Sequence, residues 1–273
     1  MPFLQIDHNL TIHYDDEGDG FPLVLVHGWA MEGGVWAFQR PLASSFRVIT
    51  VDLRGHGRST APGDGYGLAD FAADIVVLFD ELGLERAAIV GWSLGAQAAL
   101  EAAPLLGERL AALVLVGATP RFSATDGWLH GLPATECRGL GLRLRRTFDA
   151  ALDGFFHSMF AEGELSDESE RLIGQEIIAS WRRPAATAAQ AALVTLAESD
   201  QRHLLEKIRV TTLVIHGDRD AICPLEAGAH LADHLPLGRF LLFAGTGHAP
   251  FLSRPREFNS EVTRFLREVA GDD

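Results

Sequence analysis

Six short, nearly continuous apolar runs bounded by turn residues punctuate this chain. Pro22-Leu23-Val24-Leu25-Val26, Phe46 to Val51, Ala87-Ala88-Ile89-Val90, Leu110 to Val116, Thr211 to His216 and Arg239 to Phe243 each have the length of a strand. A strand without a regular polar face is covered on both sides, as in a parallel sheet. Leu10-Thr11-Ile12-His13-Tyr14 alternates instead, as a strand with one wet face does. Leu68 to Leu82 carries the helical period, and Arg256 to Val269 repeats it with Phe258, Val262, Phe265 and Leu266. Alternating strands and helices imply a parallel sheet with right-handed crossovers. From Gly117 to about Lys207 that alternation fails and a helical pattern takes over, broken near Gly131-Leu132-Pro133 and Gly163. The expected architecture is α/β. Residues 1–118 and 208–273 form the core, with helices on both faces of its sheet. Residues 119–207 form a helical lid over the sheet's carboxyl edge.

One junction carries chemistry. The run at Ile89-Val90 ends in Gly91-Trp92-Ser93-Leu94-Gly95, and Ala96 to Ala103 follows with high helix propensity. Strand, sharp turn and helix are the context of a nucleophile elbow. The turn leaves no room for a Cβ at the flanking glycine positions, and the serine itself adopts strained backbone angles. Ser93 is therefore the candidate nucleophile. An ordinary strand-to-helix connection that happens to contain serine is the plainer alternative.

A serine needs a base, usually a histidine oriented by a carboxylate. Of the eleven histidines, His248 follows the last strand in Gly245-Thr246-Gly247-His248-Ala249-Pro250, a shaped loop at the carboxyl edge. His27 and His216 also end strands and can equally be structural residues bonded to backbone. For the acid, Gly217-Asp218-Arg219-Asp220 offers two carboxylates. Asp220 lies further out along the loop and is preferred, with Asp218 left to cap the turn or pair with a nearby cation. The order serine, acid, histidine is that of α/β hydrolases. Two backbone N–H groups must receive the oxyanion. Leu94, directly after the serine, is one. Trp29, in His27-Gly28-Trp29-Ala30-Met31, is the other, and its indole can also wall the pocket. Asp52 to Ser59 lacks phosphate-loop spacing and reads as a structural turn.

Composition narrows the classes. The chain has 273 residues, 47% of them hydrophobic and 22% charged, which suits one globular unit with an insertion. A net charge of −14 argues against nonspecific nucleic-acid binding. No apolar run reaches transmembrane length, and Met1 to Asp7 lacks a basic start and an apolar signal core, so a cytoplasmic protein away from membranes is expected. The two cysteines, Cys137 and Cys223, show no metal-ligand spacing and are expected as free thiols. Neither a metal nor an organic cofactor is called for. The charge is uneven: five arginines (121, 138, 143, 145 and 146) face only Asp126 and Glu136 between Thr119 and Arg146.

Together, His27-Gly28, Asp52-x-x-Gly55-x-Gly57-x-Ser59, Gly91-x-Ser93-x-Gly95, Gly217-x-x-Asp220 and Gly247-His248 resemble the α/β-hydrolase superfamily. A closer resemblance lies in Thr119-Pro120-Arg121-Phe122-Ser123-Ala124-x-Asp126-x-Trp128 and His248-Ala249-Pro250-Phe251-Leu252-Ser253-x-Pro255. These are similar to the pimeloyl-[acyl-carrier protein] methyl ester carboxylesterases of biotin synthesis. That resemblance implies a Ser93–His248–Asp220 triad and hydrolysis of a small or carrier-bound acyl ester through an acyl-enzyme. It also implies Trp92 and Phe156 along the acyl channel, and an acidic acyl-carrier protein docked on lid arginines. Arg138 and Arg145, seven apart on one helical face, and the adjacent Arg146 are the matching candidates; a solvated helix face is the alternative. Rival functions are a broad short-chain carboxylesterase, a carbon–carbon hydrolase or lactonase on the same triad, and a noncatalytic ligand receptor. Dehalogenation would need a carboxylate in place of Ser93.

Overall fold

The six runs expected as strands all join one sheet in the computed structural model, which describes residues 2–271. The strands are β1 (Phe3–Asp7), β2 (Leu10–Glu17), β3 (Phe21–Val26), β4 (Phe46–Val51), β5 (Ala87–Trp92), β6 (Leu110–Val116), β7 (Thr211–Gly217) and β8 (Gly238–Phe243). Their order is β1-β2-β4-β3-β5-β6-β7-β8. β1, β2 and β4 pair antiparallel, and every pair from β4 through β3 to β8 is parallel. β5 is buried throughout and β6 nearly so, which accounts for their unbroken apolar sequences.

The helices are α1 (Leu68–Glu81), α2 (Leu94–Leu106), α3 (Ala134–Arg146), α4 (Phe148–Ser158), α5 (Asp167–Ile173), α6 (Ala186–Glu198), α7 (Leu225–His234), α8 (Pro250–Ser253) and α9 (Pro255–Ala270). α1 packs on α2, while α9 packs on β6 and on the 3-10 segment Gly33–Ser44. The connection from β6 to β7 carries α3 to α6.

Several elements have no counterpart in the sequence pattern, the four-residue α8 among them. β1 buries only Leu4, opposite Ile12 of β2, and owes its form to that pairing. The segment Gly33–Ser44 is kinked at Trp36 and contains Pro41, so it shows no helical period. α7 is short and half exposed.

The strand order sets where chemistry can occur. From β3 the chain moves to β4 on one side, then returns by way of α1 to β5 on the other. Val26 at the end of β3 lies beside Gly91 of β5. The chain thus leaves these neighbouring strands in opposite directions and opens a crevice at their carboxyl ends. Trp29 and Ser93 lie just beyond those two ends.

Candidate active site

Ser93 sits between β5 and α2 with φ 54° and ψ −113°, a region that non-glycine residues rarely occupy and that costs about 1–3 kcal/mol. A Cβ on Gly91 would lie 2.6 Å from the carbonyl oxygen of Gly95, and one on Gly95 would overlap the Val26 carbonyl on β3. Both glycines are therefore steric requirements of the turn. A serine at a helix N-terminus ordinarily accepts an N–H of its own first turn. Ser93 makes no such capping bond. Its hydroxyl is left free above the N-terminus of α2, while its backbone N–H is tied to Val116 of β6 at 3.0 Å. Gly95→Ala is expected to destabilise the protein by about 1–3 kcal/mol through overpacking, read from urea denaturation midpoints.

His248 and Asp220 meet although they are 28 residues apart: Nδ1 lies 2.7 Å from Oδ2 of Asp220, with both side chains buried. The other carboxylate oxygen accepts the N–H groups of Ile222 and Cys223, each at 2.8 Å. Burial works to raise the pKa of Asp220, but attraction from His248 and His216, with these backbone bonds, outweighs it and holds the carboxyl below its ordinary range. His248 Nε2 is buried with no hydrogen-bond partner among the described residues. Gly117, φ 51°, makes room for the ring, since a Cβ there would lie 2.8 Å from Nδ1. Asp218 lies apart from this pair and caps a turn by accepting the N–H of Gly245 at 2.6 Å.

The other strand-terminal histidines brace backbone. His27 places Nδ1 2.7 Å from the carbonyl of Gly28, and its Nε2 accepts the N–H of Leu53 at 3.0 Å. His56 Nε2 accepts the N–H of Ala30 at 3.3 Å, and its Nδ1 lies 3.0 Å from the Arg54 carbonyl. Burial, with repulsion from His27, pushes His56 down to about 3, so it stays neutral and can accept. Ala30 needs that help, because its φ is 63°. The turn Gly28–Met31, closed by Met31 N–H to Gly28 at 3.3 Å, is held in this way with Trp29 at its apex. Neither Trp29 N–H nor Leu94 N–H donates to a backbone carbonyl among the described residues; as the first residue of α2, Leu94 has no acceptor within its helix. A Cβ on Gly28 would lie 3.2 Å from Cβ of Ser93, so this turn and the elbow touch. His216 stands behind the acid: its Nε2 is 2.8 Å from the Cys223 carbonyl and 3.4 Å from Asp220 Oδ2.

The rings expected along an acyl channel are placed differently. Trp92 is fully buried, and its indole N–H donates to the His248 carbonyl at 2.9 Å. Its ring packs on Phe251, so it holds the histidine loop from below rather than lining a channel. Phe156 turns into the insertion against Phe160 and Trp181. Its neighbour Phe155 meets Trp29 edge to face, with ring centroids 4.7 Å apart. Phe155 lines a cavity of about 490 Å³ with Phe122, Leu140, Arg143, Ala151 and Ile222, and Ile222 follows Asp220 by two positions. No sequence period marks which of two consecutive phenylalanines faces inward.

The arginines of α3 are exposed, and Arg138, Arg143, Arg145 and Arg146 make no ion pair among the described residues. Arg138 and Arg145 border one cleft of about 650 Å³ between α3 and α6, floored by Ala134, Leu193 and Val194. Arg143 belongs to the Phe155 cavity instead. Arg146 lines neither space. Arg121 is paired with Asp200 at 2.6 Å.

Asp52 accepts the N–H groups of Gly33 and Arg58, at 2.6 and 2.9 Å, as a structural turn residue. Cys137 and Cys223 are buried free thiols, each pushed up by burial. No group of three or more His, Cys, Asp or Glu among the described residues could hold a metal ion, and no described helix is long and apolar enough to cross a membrane.

Comparison with known proteins places this arrangement. The family model described as the alpha/beta hydrolase fold matches residues 22–255. A pimeloyl-[acyl-carrier protein] methyl ester esterase from Nitrosomonas europaea is 35% identical over 257 residues, covering 92% of this chain and 97% of that protein. Among solved structures, an esterase from Exiguobacterium antarcticum superposes with a TM-score of 0.89 at 28% identity, covering 97% of this chain and 98% of that one. A bromoperoxidase from Bacillus anthracis gives 0.87 at 31% identity, over 94% and 96% of the two chains. The chain belongs to the α/β-hydrolase family.

Proposed function

We propose that the protein hydrolyses a carboxylic ester through an acyl-enzyme on Ser93, and that its substrate is the methyl ester of a pimeloyl chain borne by an acyl-carrier protein. The observation that carries the chemistry is the pairing of Asp220 with His248 at 2.7 Å, which leaves Nε2 without a partner among the described residues, beside Gly117, while the uncapped Ser93 is tied to the adjacent Val116. Ser93 Oγ attacks the ester carbonyl as His248 Nε2 takes its proton. The N–H groups of Trp29 and Leu94 receive the oxyanion. His248 returns the proton to the departing methoxide, which leaves as methanol. Water, deprotonated by the same nitrogen, then releases the acid and restores the serine. Asp220 fixes the imidazole tautomer and stabilises its charged form. None of these steps calls on a metal or an organic cofactor.

In this reading residues 119–207 are a lid on a core of 1–118 and 208–273, and Trp29 and Phe155 guide the acyl chain toward Ser93. The substrate is supported by the names of relatives such as the Nitrosomonas europaea esterase. In this reading the enzyme meets its carrier-bound ester in the cytoplasm. The carrier is acidic, and a protein of net charge −14 repels it except where the local field is reversed. Arg138 and Arg145, exposed and unpaired at one cleft, supply such a field; Arg146, on the same helix, lies off the cleft and adds at most to the wider potential.

The test is hydrolysis of methyl pimeloyl-carrier beside p-nitrophenyl esters of two to twelve carbons. Efficient cleavage of the carrier ester is expected. Turnover of short esters alone would leave a general carboxylesterase, and tight ligand binding without turnover would leave a receptor. A doubly reversed variant, Arg138→Glu with Arg145→Glu, is expected to raise KM for the carrier ester about tenfold at low salt while leaving p-nitrophenyl esters unaffected. That difference should shrink as salt is raised, because these charges are exposed.

A further inference from the structure

Two successive amides of the histidine loop are held by the helical insertion. The turn after α4 presents the carbonyl of Met159, which accepts the N–H of His248 at 2.7 Å. Six residues after α4 ends comes Glu164, whose Oε2 accepts the N–H of Gly247 at 2.8 Å and, within its own turn, the N–H of Ala161 at 2.7 Å. A Cβ on Gly247 would overlap the Met159 carbonyl, so the approach is open only to glycine. From the opposite side the Trp92 indole donates to the His248 carbonyl. The backbone that carries the imidazole is thus gripped between β5 and the insertion. The second oxygen of Glu164, Oε1, is buried with no partner among the described residues. Glu164 therefore spends its carboxylate on two amides, one of them in the histidine loop.

We infer that Glu164 is a positioning residue for His248, coupling the insertion to the general base by fixing the Gly247 amide. The inference rests on the reading of His248 as the base of Ser93. Among the described residues the ring itself is hydrogen-bonded only at Nδ1, so the direction of Nε2 follows the tilt of the loop. Released from Glu164, the loop can rotate about Gly247, and proton transfer from Ser93 loses its geometry. Misplacement on the scale of an ångström costs up to about a hundredfold in rate.

The experiment compares wild type, Glu164→Ala, Glu164→Gln and Ser93→Ala. The readouts are kcat and KM on p-nitrophenyl butyrate, the rate of covalent capture of Ser93 by a p-nitrophenyl phosphonate, and the melting temperature. Glu164→Ala is expected to lower kcat and the capture rate together by about ten- to a hundredfold with KM nearly unchanged. Glu164→Gln, whose amide oxygen can accept both N–H groups, is expected to recover most of the rate. Glu164→Ala with wild-type kcat and capture rate, beside an inactive Ser93→Ala, would overturn this inference and leave the triad standing. A Ser93→Ala enzyme that still turns over would overturn the triad reading itself. If Glu164→Ala does not fold, Gly247→Ala decides. It keeps the carboxylate but drives the loop off the Met159 carbonyl, and a wild-type kcat there would also overturn the inference.

Discussion

Ser93→Ala is expected to lower kcat on p-nitrophenyl esters by about a million-fold, with the melting temperature within a degree or two of wild type. The size of the effect follows from the surroundings of the hydroxyl. Ser93 sits on a strained turn that Gly91 and Gly95 make sterically possible, and its side chain makes no capping bond to α2. Removing Oγ deletes no hydrogen bond to the described residues and leaves the Cβ in place. Activity and stability therefore separate, which a residue kept for structure would not allow. Some rate above that in water remains, because Trp29 and Leu94 still offer N–H groups to a substrate attacked directly by water. A variant with more than one per cent of wild-type kcat would show that another group performs the attack, and the proposed cycle would fail at its first step.

How much of this was legible in the sequence depends on the range of the interaction. The buried strands could be read because β3, β5 and β6 are covered on both faces, and the elbow because its turn excludes a Cβ at Gly91 and Gly95. His248 and Asp220 could be proposed because each follows a strand at the carboxyl edge of the sheet, where an α/β fold places its loops. β1 was not legible, since one buried residue in five makes no pattern. Neither was the partner of Gly247: Glu164 lies 83 residues away and is reached through a turn that shows no period. Trp92 illustrates the same limit from the other side. As an aromatic next to the nucleophile it reads as a channel wall, yet its indole is committed to a carbonyl 156 residues distant. The arginines were legible as a charge excess on a helix. Their division between two spaces depends on how α3 lies across α4 and α6, and Arg143 and Arg145 face different cavities although they are two residues apart.

Asp220→Asn is expected to lower kcat by about ten-thousand-fold with the fold intact, and the structure fixes the reason to the atom. One oxygen of Asp220 accepts the N–H groups of Ile222 and Cys223, so an asparagine must turn its carbonyl oxygen toward those two donors. Its amide nitrogen then occupies the place of Oδ2, 2.7 Å from His248 Nδ1. An N–H donor there requires Nδ1 to accept, which moves the imidazole proton to Nε2. That nitrogen can then no longer take the proton of Ser93. His216 Nε2, 3.4 Å from Oδ2, already serves the Cys223 carbonyl at 2.8 Å, so the two backbone N–H groups at 2.8 Å decide the orientation. Because Asp220 is held below its ordinary range, its ionised form contributes stability above the unfolded carboxyl value of 3.8, and that contribution fades as pH falls through the lower folded value. Asparagine has no such titration, so the wild-type advantage in urea denaturation should be largest near pH 6 and shrink below pH 4. Rates measured across pH with saturating p-nitrophenyl butyrate separate the tautomer argument from a loss of fold. A variant with near wild-type kcat at pH 7 would mean that Nε2 still accepts a proton, and that Asp220 is not what orients His248.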